Sequence, residues 1–228
     1  MNVSRKELIK DFLGDIPFTA ELYWLVRQRG KPIASRFSLK HLQTHLPEIC
    51  AQTEKLRASV PAGKKIFLFA TLHYWIEHAA LLGMTLSAQG HNTTLGFLPY
   101  SDWQKPVNRF DLRRQNIYAR KVLAQAEPYM ASVSLLPSSG HYATLPQPVQ
   151  EAVDLVTGYD TMYTLQVEDV DTTSEIYRLR KERNTEAAWA ALSWLQNGRP
   201  DLLIVPNGTI QELGVVYRVA RVLKIPVV

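Results

Sequence analysis

A single cysteine, Cys50, stands in the 228 residues, which excludes an internal disulfide and any cysteine-based zinc cluster and suits a reducing compartment such as the cytoplasm. The N-terminal stretch MNVSRKELIKDFLGDIP lacks the long apolar core of a signal peptide. One apolar run is long enough to span a bilayer, IFLFATLHYWIEHAALLGMTL. It carries His73, Glu77 and His78 near its middle, which hydrocarbon tolerates badly, so a buried strand followed by a helix accounts for it better. Phosphate-cradling glycine loops are missing as well. The first apolar strand runs into FATLHYW, without a glycine where a dinucleotide pyrophosphate needs close backbone approach, and no Walker lysine loop or Gly-x-Ser-x-Gly elbow occurs. No cofactor is expected from these patterns.

What is present is an ordinary globular balance, 46% hydrophobic and 21% charged, enough to build a sizeable core. The formal charge of +5 and pI near 9.3 favour anionic partners without choosing among them. Residues 1–64 read as helices. Ser4 with Glu7 forms a capping box ahead of Leu8, Ile9, Phe12 and Leu13, TAELYWLVRQRG stops at Gly30, and a third helix starts at a capping Ser38 and meets Pro47. The apolar side of this segment, with Phe12, Leu13, Phe18 and Trp24, is expected to pack on the core; the alternative is peripheral contact with a membrane such as the inner membrane.

From Lys65 the pattern becomes strand–helix alternation. Strands are expected at KIFLFAT, Thr93–Leu98, ASVSLLP, PDLLIV and the final IPVV, with an extra one at TMYTLQV. Helices are expected between them, including one near Pro148–Thr157 and a long one from Thr172, capped with Glu175, to Gln196. The fold class that follows is α/β: a Rossmann-like open parallel sheet with helices on both faces over residues 65–228, preceded by the helical N-terminal segment. In such sheets ligands bind beyond the carboxyl ends of the strands, which selects Thr71–Tyr74, Pro99–Trp103, Pro137–Tyr142 and Pro206–Thr209.

Each of these carries a candidate. His73 is placed to act as general base on a hydroxyl, or else to hydrogen-bond beside the sheet. PNGT places Asn207, Gly208 and Thr209 at a strand end, where free amides and a glycine admit a ligand and Glu212 could accept sugar hydroxyls; the alternative is a tight turn. Tyr100 and Trp103 could stack on a sugar ring or cover the sheet end. Other signals favour structure. His41 and His45 suit a solvated helix better than a metal, and no metal is assigned. Asp169-Val-Asp171 fits a helix N-terminus, against a reading as a manganese–diphosphate site, and RLRKER reads as a wet helix face without the aromatic platform nucleic-acid binding requires.

Two stretches carry a family likeness. EHAALLGMTLSAQGHNTTLGFLP, with Gly90 and His91 at its turn, resembles the first helix and second strand of GT-B glycosyltransferase N-terminal domains of the family 4-like type. GRPDLLIVPNGTIQELGVVYRVARVLKIPVV resembles the later part of the same domain, with Lys224 where glycine often stands. The likeness covers roughly Lys65 to Val228. It implies the acceptor-side half of a hexosyltransferase of polysaccharide or glycoconjugate biosynthesis, truncated before a second domain that would hold most of the nucleotide sugar. In that reading His73 is the base, and Asn207, Gly208, Thr209, Glu212, Tyr100 and Trp103 contact the sugar acceptor. Departures are the helices in front and TLHYW in place of a glycine loop. The alternative is a non-enzymatic Rossmann-like module binding a sugar or nucleotide.

Overall fold

The structure, a computed structural model, describes residues 5–29, 31, 37–136 and 144–228, with side chains from residue 8 onward. Expectations resting on Ser4, on the Glu7 side chain, on Gly30 and on the 137–142 loop lie outside what is described.

Four strands form one parallel sheet in the order β3-β2-β1-β4. β1 (Lys65–Thr71) is buried from Ile66 to its end, as an apolar run between two helical layers must be. It pairs in register with β2 (Asn92–Leu98) on one side and β4 (Leu202–Ile204) on the other, and β3 (Met130–Ser134) lies outside β2. The final segment adds to the far side of β4: Leu203 bridges Val227, and the Val205 and Val228 amides donate to the Val228 and Leu203 carbonyls.

The chain steps outward from β1 through β2 to β3, then returns across the sheet to β4. Right-handed crossovers in opposite directions put the connecting helices on opposite faces. α4 (His73–Ala88) and α5 (Arg109–Leu123) cover one face. α6 (Gln147–Leu165), α7 (Glu175–Gly198) and α8 (Gln211–Val222) cover the other. The alternation of β1 sorts its side chains accordingly: Ile66, Leu68 and Ala70 join the first core, Phe67 and Phe69 the second. Trp194 of α7 stacks on Phe67 at 4.0 Å between ring centroids, anchoring α7 to the central strand. The turn expected at Gly90 is there, with φ +89°, a conformation a Cβ would strain.

The N-terminal helices share the first core rather than making their own. α1 (Arg5–Asp15) and α2 (Thr19–Leu22), which runs on as a π-helical turn (Tyr23–Arg27), lie on α5; α3 (Lys40–Arg57) lies on α4. Trp24, Phe37, Leu39, Leu42 and Leu46 contribute to the core, whereas Phe12 and Phe18 face outward, 68% and 71% exposed.

Several local expectations are corrected. TMYTLQV forms no strand: α6 continues through Leu165 because Val149, Val153, Val156 and Asp160 recur at helical spacing, and it stops at Gln166 in the left-handed region. Ser174, not Thr172, caps α7, since Asp171 Oδ1 already binds the Thr173 amide and hydroxyl and Ser174 Oγ then accepts from the Tyr177 amide. Ser38 does not cap α3; Glu77 of α4 takes the Leu42 amide at 3.1 Å instead. Pro47 does not split that helix. Among the described residues no helix is long and apolar enough to cross a membrane.

Candidate functional site

The sheet order reverses direction beside β1. β1 leads to β2 on one side, while β4 on the other side is reached from β3. In open parallel sheets such a reversal is where a ligand crevice forms, here beyond the carboxyl ends of β1 and β4, whose following helices diverge to opposite faces. Leu68 pairs with Ile204, and counting forward along both strands brings Pro206–Asn207 beside the end of β1.

At that end lies the strongest local anomaly. Leu72 joins β1 to α4 with φ 63° and ψ 146°, a region glycine adopts and a γ-branched side chain rarely does. On either side of it are two buried polar atoms without a hydrogen-bond partner among the described residues, Thr71 Oγ1 and His73 Nδ1. Thr71 is wholly buried. His73 opens α4 edge-on to Phe37 and Tyr74, with ring centroids 6.4 and 5.3 Å away. Burial lowers the His73 pKa and the Glu77 carboxylate offsets only part of this, so the imidazole is neutral at pH 7, the form that accepts a proton.

The loop after β2 is held from below by two arginines of α7. Arg180 donates to the Trp103 carbonyl at 2.7 Å, and Arg183 to the Asp102 and Lys105 carbonyls at 2.8 and 2.7 Å. Asp102 Oδ1 closes the loop on itself by accepting the Gln104 and Lys105 amides. Arg180 also pairs with Asp160 of α6 and, at 3.2 Å, with Glu212 of α8. Burial opposes the charge on Arg180, but Glu212 and Asp160 outweigh it and its pKa rises; burial pushes the Asp160 carboxyl up while Arg180 pulls it back. Tyr100 lies under Arg183, whose guanidinium carbon is 4.2 Å from the ring centroid, and its hydroxyl is 3.5 Å from Glu186 Oε2. Burial, with Glu212 and Glu186 nearby, raises the Tyr100 pKa far beyond its usual value and keeps the hydroxyl neutral.

The loop after β4 is an Asx turn. Asn207 Oδ1 accepts the Thr209 amide at 2.7 Å and the Ile210 amide at 3.2 Å, so those amides, expected to be free for a ligand, are taken by the chain's own side chain. Asn207 and Thr209 are exposed, and the Gly208 backbone passes close to Tyr217, leaving 3.1 Å between that ring and an added Cβ.

Thus the sequence-derived residues divide into two sets. His73 and the Asn207–Thr209 turn sit at neighbouring strand ends facing the crevice. Tyr100 and Glu212, both at most 3% exposed, belong instead to the buried network that positions the β2 and α8 ends, and Trp103 joins it through its carbonyl while its side chain is half-buried. RLRKER is corrected from a wet face: Arg180 and Arg183 are buried, the former completely. Asp160, which pairs with Arg180, and the unpaired Thr71 hydroxyl at the end of β1 were not anticipated. His41, His45, Asp169 and Asp171 are exposed, and among the described residues no three His, Cys, Asp or Glu side chains gather to hold a metal. Away from the crevice, α6 and α8 bound an open groove of ≈ 480 Å³ between Ala152, Leu155, Tyr217 and Arg218. No family model matches this sequence, and searches of the curated proteins and of the solved structures return no match.

Proposed function

We propose that the chain is the acceptor-side domain of a glycosyltransferase, with its reaction centre at the β1–β4 crevice and a second domain holding most of the nucleotide sugar. The observation that carries this reading is the end of β1: a strained Leu72 flanked by the unpaired Thr71 Oγ1 and His73 Nδ1, at the one place where the sheet order reverses. The sequence likeness of the α4–β2 and β4–α8 stretches to GT-B N-terminal domains supplies the reaction class.

In the reaction, an acceptor hydroxyl oxygen bonds to the anomeric carbon of the donor. The bond from that carbon to the diphosphate oxygen breaks, and the nucleoside diphosphate leaves with the electron pair. The hydroxyl proton passes to the neutral imidazole of His73. Asn207 and Thr209 bind the acceptor at the crevice rim through groups their Asx turn leaves exposed, with Gly208 allowing close approach. Tyr100, Trp103 and Glu212 position the surrounding loops through Arg180 and Arg183.

The test is glycosyl transfer by the complete protein from a panel of nucleotide sugars to glycan and lipid-linked acceptors. The expected result is a nucleoside diphosphate product, with His73→Ala lowering turnover by about 10²–10⁴-fold while circular dichroism is unchanged. Turnover unaffected by His73→Ala overturns the assignment. Absence of transfer together with tight sugar or nucleotide binding by this chain makes it a binding module.

A further inference from the structure

α1 attaches to the domain by its polar side, the segment after it by Ala20, Trp24 and polar side chains, and both turn further large apolar side chains outward. On α1, Lys10 pairs with Asp111 at 2.8 Å, Asp11 accepts from Asn108 at 2.6 Å and Asp15 accepts from Arg109 at 2.9 Å. Gly14 lets α1 approach α5 so closely that a Cβ there would lie 2.8 Å from the Phe110 amide nitrogen. In the next segment Glu21 binds Arg113, and Gln28 accepts from Arg114 at 2.7 Å. The opposite side carries Leu8, Ile9 and Phe12 at helical spacing on α1, then Phe18, Leu22, Leu25 and Val26, each more than half exposed. A soluble helix normally places these faces the other way round. No ordinary monomer surface concentrates so many large apolar side chains within so short a stretch.

The charges decide what covers this face. The acidic side chains described in it, Asp11, Asp15 and Glu21, are each bonded to α5 or to its cap. The side chains of Arg27, Arg29 and Lys31, exposed beside the apolar ones, make no hydrogen bond or ion pair among the described residues. The charge left at the rim is therefore positive. An apolar helical face with a cationic border and neutralised acids complements the headgroup region of an anionic bilayer, which takes up apolar side chains without demanding a shaped pocket. We propose that the face formed by Leu8, Phe12, Phe18, Leu22 and Val26 docks on an anionic lipid surface, lying in its plane with Arg27 and Arg29 against the headgroups.

The proposal stands independently of the chemistry at the crevice. It is tested by flotation of the full chain with phosphatidylcholine vesicles, with and without phosphatidylserine. The expected result is flotation with the anionic vesicles that weakens with added salt. The Phe12→Ser, Phe18→Ser double variant lowers partitioning at least about 10-fold, and Arg27→Glu with Arg29→Glu does so by a similar factor. Both pairs are exposed, so thermal midpoints should match the wild type and separate lost binding from lost folding. No flotation with either vesicle, or flotation indifferent to both variants, overturns the proposal. So does a concentration-dependent dimer in sedimentation that the phenylalanine variant abolishes while vesicles remain unbound, which reassigns the face to a second copy.

Discussion

Arg180 donates from Nη2 to Glu212 Oε1 at 3.2 Å with both side chains out of solvent, tying α7 to the first turn of α8. Because the same guanidinium reaches Asp160 and the Trp103 carbonyl, one residue joins α6, α7, α8 and the loop after β2. Two of those partners, Trp103 and Glu212, follow the carboxyl ends of β2 and β4, so the network positions that end of the sheet while its ion-paired side chains stay out of solvent.

Removing Arg180 alone strands two buried acids. Arg180→Met is expected to lower the unfolding free energy by about 3–5 kcal/mol, read from urea denaturation. Adding Glu212→Leu removes one stranded charge and should recover part of the loss. A double variant weaker than the single one by the full cost of Glu212→Leu alone would show that the two residues are not coupled.

His73 makes stability depend on pH in a known direction. Its folded pKa lies below its unfolded value, chiefly through burial, so the unfolded chain takes up the proton first as pH falls. The contribution is constant above the unfolded pKa and is lost as pH drops from there toward the folded pKa. Urea midpoints of wild type and His73→Gln should therefore diverge between neutral and mildly acid pH, the wild type losing more. Parallel profiles would mean the imidazole is not shielded in the fold.

Much of the architecture was legible because it rests on period. A continuous apolar run marked β1 as covered on both faces, the Gly90 turn marked the start of β2, and the small-residue stripe of α4 marked its contact with the sheet. The places that failed are those where tertiary partners override a local signal. RLRKER has the composition of a solvated helix, yet Ala187, Ala191 and Leu195 mark the inward stripe of α7, and stepping back along it by helical turns lands on Arg183, Asn184 and Arg180. The phase was readable; that the inward positions were charged, and paired with acids on other helices, was not. The outward phenylalanines of the N-terminal segment failed for the converse reason, since amphipathicity says a face is apolar without saying what it meets. At the site, His73 and Asn207–Thr209 followed from the strand-end rule, but the conformation of Leu72 and the orphaned Thr71 hydroxyl have no signature in sequence.

Arg183 holds the β2 loop with two parallel bonds to carbonyls and covers Tyr100 with its guanidinium plane. Lysine keeps the charge but offers neither the fork nor the flat face. Arg183→Lys is expected to lower stability by about 1.5–3 kcal/mol and to speed amide exchange at Gln104 and Lys105, whose amides bond Asp102 within the loop. Stability loss with unchanged exchange at those two amides would place the role of Arg183 elsewhere in α7.

Lys224 ends the turn after α8 with φ 58°, the left-handed conformation a side chain disfavours. Its amide donates to the Arg221 carbonyl, and the following Ile225 amide returns to Ala220, closing the helix before the final segment bridges β4. The side chain is exposed, so nothing is lost by trimming it. Lys224→Gly should raise the unfolding free energy by about 1 kcal/mol, the relief of αL strain less the extra entropy of the unfolded glycine. Lys224→Ala, which keeps the Cβ, should leave it unchanged. Leu72 has a similar φ, but it is 3% exposed and packs in the core, so Leu72→Gly should instead destabilise. Comparing the three denaturation midpoints separates strain that merely ends a helix from strain that the core holds in place beside His73. If Leu72→Gly proved no more stable than Leu72→Ala, which gives up similar packing but keeps the Cβ, the conformation at the end of β1 would carry no stored cost, and a reaction centre there would lose its main support.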